Sequence, residues 1–394
     1  MRIAILTFFL SLTLPLSAQK TATSFYEGTE QPRESFEFIT QGTDTIRHGQ
    51  YQYFYPDGTV YQEGPYQTGQ LHGDWKINHP SGTLKQLLPY REGLLEGKMK
   101  EYSPEGRLLK EATYKDDRLH GKVIMYNDSI VTEVASYRNG LLNGEVTAWF
   151  DDGTLRFKKH FQNGIEHGRQ IIYYENGNIR EESKKVNGAY HGLFKGYYKE
   201  YENRTIQKSC YYNHGKLHGQ FTGYYPSGAV MTRCTYDADE IAGVFRRYFD
   251  SKEKAVAGTI REEGKYNNYK KNGVWNLYYP SGEIYIKGEY RNGEITGEWK
   301  VYHENGNLKQ EGYYENGRSE GPFRMYYKTG ELKNSGEYLD DKKSGKWTTY
   351  YKTGEIMSII HFRKGKREGE AVGFDKQGNQ VEEYYYENEE ETQD

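Results

Sequence analysis

Six histidines in this chain stand directly before a glycine that recurs at a regular interval: His48, His72, His120, His167, His191 and His218. Imidazole is the side chain best suited to binding metal or moving protons near neutral pH, so a recurring set invites a metal-site reading. The spacing argues against it. Successive members are 24, 48, 47, 24 and 27 residues apart. If 24 residues make two strands, equivalent positions lie about 10 Å apart, whereas zinc needs nitrogens at about 2.0 to 2.1 Å. The histidines are therefore read as loop residues, with no metal and no cofactor expected. Cys210 and Cys234 are also 24 residues apart. An oxidising compartment would permit a bridge, but bridged α-carbons lie about 4.4 to 6.8 Å apart, so two buried free thiols are expected. No nucleophile motif, phosphate-cradling glycine loop or metal-spaced acidic cluster is found, and the chain is read as not an enzyme. One set of side chains is left for contact chemistry. Aromatic rings recur at Tyr173, Tyr197, Tyr224, Tyr248, Tyr278, Tyr302, Tyr326 and Tyr350, with Lys195, Arg246, Lys300 and Arg324 two residues before four of them. Such a ladder offers flat, amphipathic contacts to a protein, a glycan or a lipid.

What must position these residues is a repeat. The stretch Gly297 to Glu320, GEWKVYHENGNLKQEGYYENGRSE, returns with variation from Gly49 to Gly369, mostly at intervals of 24 residues. Counting its first glycine as zero, plus two is large and apolar (Trp75, Phe221, Trp275, Trp299, Phe323, Trp347) and plus six is often tyrosine (Tyr55, Tyr225, Tyr279, Tyr327, Tyr351). The ladder above is plus five. Alternation of this kind has the period of a strand. At plus eight and nine come Asp57-Gly58, Ser281-Gly282 and Asn305-Gly306, which favour two-residue hairpin turns. That turn would set plus six opposite plus eleven (Leu84, Ile284, Leu308, Ile356). A four-residue loop between repeats, such as Gly69 to His72, would set the plus-seventeen aromatic (Tyr66, Tyr266, Tyr290, Tyr338) opposite the next plus two. The fold class expected is all-β: an elongated single-layer antiparallel sheet of tandem hairpins, stabilised neighbour by neighbour.

Composition agrees. The chain has 40 tyrosines and 45 glycines among 394 residues, with 35% hydrophobic and 28% charged. Tyrosine, apolar in body and polar at its tip, suits a sheet wetted on one side. A formal charge of -3 gives no reason to expect nucleic acid. Residues 1–18 read as a signal peptide, residues 19–48 as a polar segment with a degenerate capping strand, and residues 49–381 as about fourteen repeats, irregular at 192–272. Residues 382–394 read as an acidic, frayed tail that discourages strand pairing. The expected location is exported: periplasm, outer cell surface or secreted.

Units such as GEWKVYHENGNLKQEGYYENGRSE and GPFRMYYKTGELKNSGEYLDDKKS resemble the bacterial variant of the MORN repeat, over roughly Gly49 to Gly378. The resemblance implies an antiparallel hairpin ribbon. Bacterial proteins of this kind are often labelled antitoxin components, and eukaryotic MORN proteins are linked with membrane lipids and scaffolding. The expected function is therefore a protein-interaction scaffold. The alternatives are an antitoxin or immunity protein neutralising a toxin, and an envelope lipid- or glycan-binding module.

Overall fold

A computed structural model describes residues 18–201, 204–250 and 258–387. The leader expected at 1–18 therefore lies, but for Ala18, outside the described residues. Among those residues every regular element is a strand and none is a helix. The fold is all-β with tandem antiparallel hairpins, as the period requires. The chain divides into two compact units, Met1–Gly177 and Asn178–Asp394.

In the first unit the expected tail and single degenerate strand are instead a complete hairpin, Lys20–Phe25 paired with Pro32–Gln41. Tyr26 N–H donates to Gln31 O at 3.0 Å to close its loop. From there each strand pairs antiparallel with the next, Asp44–Phe54 with Val60–Gln67, and so on to Ile165–Tyr173. The second unit follows the same plan from Ile179–Val186 to Gln380–Tyr386. Residues 382–386, expected to fray, are thus strand; 388–394 lie outside the described residues.

Both turns differ from those expected: the loop within a repeat has three residues in place of two, and the turn between repeats has two in place of four. Within a repeat, Gly282 N–H donates to Tyr279 O (2.9 Å) and Tyr279 N–H to Glu283 O (2.8 Å). Gly282 has φ +95°, while Ser281 is absent from the left-handed region. This is a three-residue loop, a type I turn followed by one left-handed residue. It therefore pairs Tyr278, at plus five, with Ile284, in place of plus six. Between repeats lies the two-residue turn, with Asn292 at φ +52° and Gly293 at +90°, flanked by the pair Arg291 and Glu294. The insertions at 199–204 and 249–258 fall at the within-repeat loop, and 202–203 and 251–257 lie outside the described residues. Tyr198 N–H still donates to Thr205 O (3.0 Å) and Phe249 N–H to Thr259 O (3.1 Å), so the ladders on either side are kept.

The register moves the core contacts too. The plus-seventeen ring does not face the next plus-two residue; Tyr290 sits opposite Gly273 of its own hairpin and Ile295 beyond. It is plus fifteen that faces the next plus two, as Gly288 faces Trp299. The aromatic then packs diagonally, edge-on. Tyr266 meets Trp275 at 5.1 Å and 85°, and Tyr338 meets Trp347 at 5.2 Å and 81°. Small and large alternate across these pairs. In the first unit Ala112 faces Val123 and Ala135 faces Val146; in the second, Gly312 faces Phe323 and Ile360 faces Ala371. A Cβ at Gly64, Gly264, Gly288 or Gly336 would stand 2.0 to 2.4 Å from the tryptophan ring that covers it. Side chains two residues before the repeat glycine close the core from above, as Lys271 Nζ does 4.0 Å over the Trp275 ring. That is how Trp275 reaches 0% exposure without a second sheet layer.

Plus-six tyrosines join one hairpin to the next. In the second unit the hydroxyls of Tyr198, Tyr225, Tyr279, Tyr327 and Tyr351 donate to the carbonyls of Tyr224, Tyr248, Tyr302, Tyr350 and Phe374 at 2.7 to 2.9 Å. Tyr26 does the same to Phe54 O at 2.6 Å, which marks the first hairpin as a true repeat. We expect Tyr327→Phe to cost about 1 kcal/mol, read as a lower urea midpoint of the second unit; an unchanged midpoint would mean the bond only replaces one to water.

Candidate interaction face

Plus two, thirteen, fifteen and seventeen fill the face just described, so plus one, three, five, fourteen and sixteen share the other. A three-residue motif recurs on it. A carboxylate at plus fourteen meets a cation at plus three, of its own repeat or of the next, and the next repeat's tyrosine at plus five. Glu263 takes Arg246 Nε at 3.0 Å and, from the following repeat, the Tyr278 hydroxyl at 2.7 Å. Glu311 takes Arg324 at 3.2 Å and Tyr326 at 2.7 Å. Tyr197 donates to Glu182 at 3.0 Å, and Tyr350 lies 3.5 Å from the Ser335 hydroxyl. Burial, then the neighbouring carboxylate, pushes Tyr278 and Tyr326 up to about 12. Burial alone would raise the Glu263 carboxyl, but Tyr278 and Arg246 hold it below the usual range.

The structure places Tyr197, Tyr224, Tyr248, Tyr278, Tyr302, Tyr326 and Tyr350 in one column of the second unit, with Tyr173 at the equivalent strand position in the first, and the fold uses most of them. Tyr197 is buried, and Tyr173, Tyr224, Tyr248, Tyr278, Tyr302, Tyr326 and Tyr350 are half-buried. The carbonyls of Tyr224, Tyr248, Tyr302 and Tyr350 receive the plus-six hydroxyls. On the same face three depressions follow one another at the repeat spacing, of ≈470, ≈310 and ≈230 Å³, and Tyr302 is the ladder residue that lines one of them. The first is lined by Val244, Arg246, Glu263 and Val274; the second by Val274, Lys287, Glu298, Lys300 and Tyr302; the third by Glu311, Tyr313, Pro322 and Arg324. Each contains a plus-fifteen glycine, Gly264, Gly288 or Gly312. Both charge signs are present in every one, beside exposed apolar surface at Val244 (37%), Val274 (51%) and Tyr313 (47%).

Plus one and plus sixteen were not singled out from the sequence. A signal was there: Leu193, Val244, Val274 and Pro322 are apolar in a plus-one column that otherwise carries mainly charged or amide side chains.

The histidines belong to the turns between repeats. His48 Nδ1 accepts the Thr68 amide at 3.3 Å, and His120 and His218 reach Asn139 and Asp237. The same place is filled by Glu96 for Asp116 N–H and Glu320 for Asp340 N–H, so the position calls for an acceptor, not for imidazole. Among the described residues no group of three or more His, Cys, Asp and Glu side chains could hold a metal. Cys210 and Cys234 are buried and unbridged. Burial pushes the Cys234 thiol up to about 11 and raises Cys210 as well.

Ten segments match the family model described as the MORN repeat variant: 47–68, 71–92, 95–116, 142–163, 166–184, 217–238, 271–292, 295–316, 319–340 and 343–364. No curated protein matches. Among solved structures, the chain aligns with a TcdB2–TccC3–Cdc42 complex at 10% identity and a TM-score of 0.16, covering 90% of this chain and 26% of the other. TcdB2–TccC3 without its hypervariable C-terminal region gives 10% identity and 0.15, over 90% and 23%. A Photorhabdus luminescens Tc holotoxin pore gives 13% identity and 0.14, over 87% and 23%. The chain spans about a quarter of the length of these solved chains.

Proposed function

We propose that this chain, which belongs to the MORN repeat variant family, is a non-catalytic scaffold that binds another protein along the plus-one, plus-three and plus-sixteen columns of its second unit. The observation that carries this reading is the run of depressions from Val244 to Arg324. A site repeated at the spacing of the hairpins favours an extended partner over a small molecule, and alternating charges beside exposed valine and tyrosine suit a polypeptide. A purely anionic or apolar ligand would leave half of those charges without a complement. The exported location rests on residues 1–18 alone and is part of the proposal.

Affinity capture from crosslinked cell extract tests it, using the intact chain and a variant carrying Val244→Asp, Val274→Asp and Tyr313→Ser. All three side chains are exposed, so the fold should survive, which circular dichroism checks. A protein that binds the intact chain and loses at least about tenfold in affinity, about 1.4 kcal/mol, with the variant is the expected result. Identical captures, or retention on lipid vesicles or cell-wall polysaccharide after proteins are stripped, would sink the reading.

A further inference from the structure

Among the described residues the first and the last strand each have a neighbour on one side only. Among the described residues Lys20–Phe25 pairs only with Pro32–Gln41, and Gln380–Tyr386 only with Lys366–Phe374. In repeat positions the first runs from zero to plus five, since Ala22 faces Phe36 as Tyr51 faces Gly64. The last runs from plus eleven to plus seventeen, since Tyr386 faces Gly369. They are the two complementary halves of a junction between repeats.

At such a junction plus fifteen, fourteen and thirteen face the next plus two, three and four. Ile360, Ile359 and Ser358 face Ala371, Val372 and Gly373 in this way. The same register would set Tyr384, Glu383 and Glu382 opposite Ala22, Thr23 and Ser24. The departures from the repeat then match. Plus fifteen is glycine, alanine or cysteine in many repeats; here it is a tyrosine, and the plus-two residue it would cover is an alanine, as at Ile360 and Ala371. Plus thirteen and plus four are apolar where Ile286 faces Val301; here they are Glu382 and Ser24. The Ser24 hydroxyl is buried with no hydrogen-bond partner among the described residues, a group that costs stability unless something meets it.

Exposure points the same way. Ala112, Cys210 and Cys234, at plus fifteen, are 1 to 4% exposed, whereas Tyr384 is 54% exposed, beside Val381 at 59% and Tyr385 at 75%. An unpaired edge carrying apolar side chains is a template for another strand.

We propose that the C-terminal edge strand of one copy pairs antiparallel with the N-terminal edge strand of a second copy, Tyr384 covering Ala22 and the Glu382 carboxylate accepting the Ser24 hydroxyl. Glu382 then guards against other strands while selecting this one. Because the two edges differ, the contact is heterologous, and each added copy leaves a free edge of each kind.

Light scattering and sedimentation of the full chain over a wide concentration series test this. The native chain should rise above one-chain mass as concentration increases. Ser24→Glu, which sets two carboxylates face to face, should hold it at one-chain mass, and Ser24→Glu with Glu382→Lys should restore assembly. Thermal unfolding of each variant separates a blocked edge from a damaged hairpin. One-chain mass for the native chain at every concentration would overturn the proposal, as would assembly of Ser24→Glu equal to native, or a folded double variant that stays monomeric.

Discussion

Gly264→Ala will lower the unfolding midpoint of the second unit, although alanine is ordinarily the better strand residue by about 0.5 to 1 kcal/mol. The added methyl would stand 2.2 Å from the Trp275 indole, and Trp275 has no room to retreat. Its ring is fully buried, lies between Phe245 at 6.1 Å and Tyr290 at 6.3 Å, and donates its Nε1–H to Lys265 O at 3.1 Å. Overpacking of this kind costs about 1 to 3 kcal/mol. Trp275→Val alone should cost more, about 3 to 5 kcal/mol, through the cavity it opens. The informative variant is the pair. Gly264→Ala with Trp275→Val recreates the Ala112 and Val123 match that the first unit uses in its own core, so the double variant should lose less than the sum of the singles, by about 0.5 to 3 kcal/mol. Urea unfolding of the three chains decides it. A harmless Gly264→Ala, or strictly additive losses, would show that the size match between plus fifteen and plus two is incidental.

Alkali will unfold the chain well before its arginines titrate. The Cys234 thiol is raised from 9.0 to about 11, and the Tyr212, Tyr278 and Tyr326 phenols from 10.0 to about 12. Burial is the first cause in each. The folded chain holds these protons after the unfolded chain has released them, so the stability they contribute is complete below pH 9 and is lost as pH rises to 12. Glu63 and Glu263 have the opposite sign. Their carboxyls are held low, by hydrogen bonds from Gln52 and Lys76 to Glu63 and from Tyr278 and Arg246 to Glu263 against its burial, so their contribution is lost as pH falls through the carboxylate range. Urea midpoints followed against pH, with phenolate absorbance alongside, should show late ionisation coinciding with unfolding. Tyr278→Phe with Tyr326→Phe should flatten the alkaline limb. Phenolate appearing at the ordinary pH with the fold intact would contradict this account.

Much of the architecture could be read from residue types because its causes are local. Alternation of Trp299, Val301 and their equivalents with charged neighbours fixes strands, and a glycine at plus nine and another four residues before the next repeat glycine fix where the chain must bend. The capping hairpin was harder to see. Lys20 to Gln41 keeps the repeat's pairing with few of its residues, Tyr26 being the one clear marker, and its loop carries Gly28 in a different place. The ladder of tyrosines was legible as a column. That its tyrosines are tied to Glu182, Glu263 and Glu311 was not, because those carboxylates lie fifteen residues away and become neighbours only across a junction.

The chain's own sequence determined the strand period, the two bends in each repeat and the faces on which aromatic and charged side chains gather. Only the tertiary structure decided which bend is the three-residue loop and which the two-residue turn. Ser281-Gly282 and Asn292-Gly293 are both compatible with either, since the difference lies in whether the residue before glycine enters the left-handed region. That choice depends on the twist and pairing of the strands around it. It moved the register by one at every hairpin, put Gly288 in place of Tyr290 opposite Trp299, and so decided what packs against what.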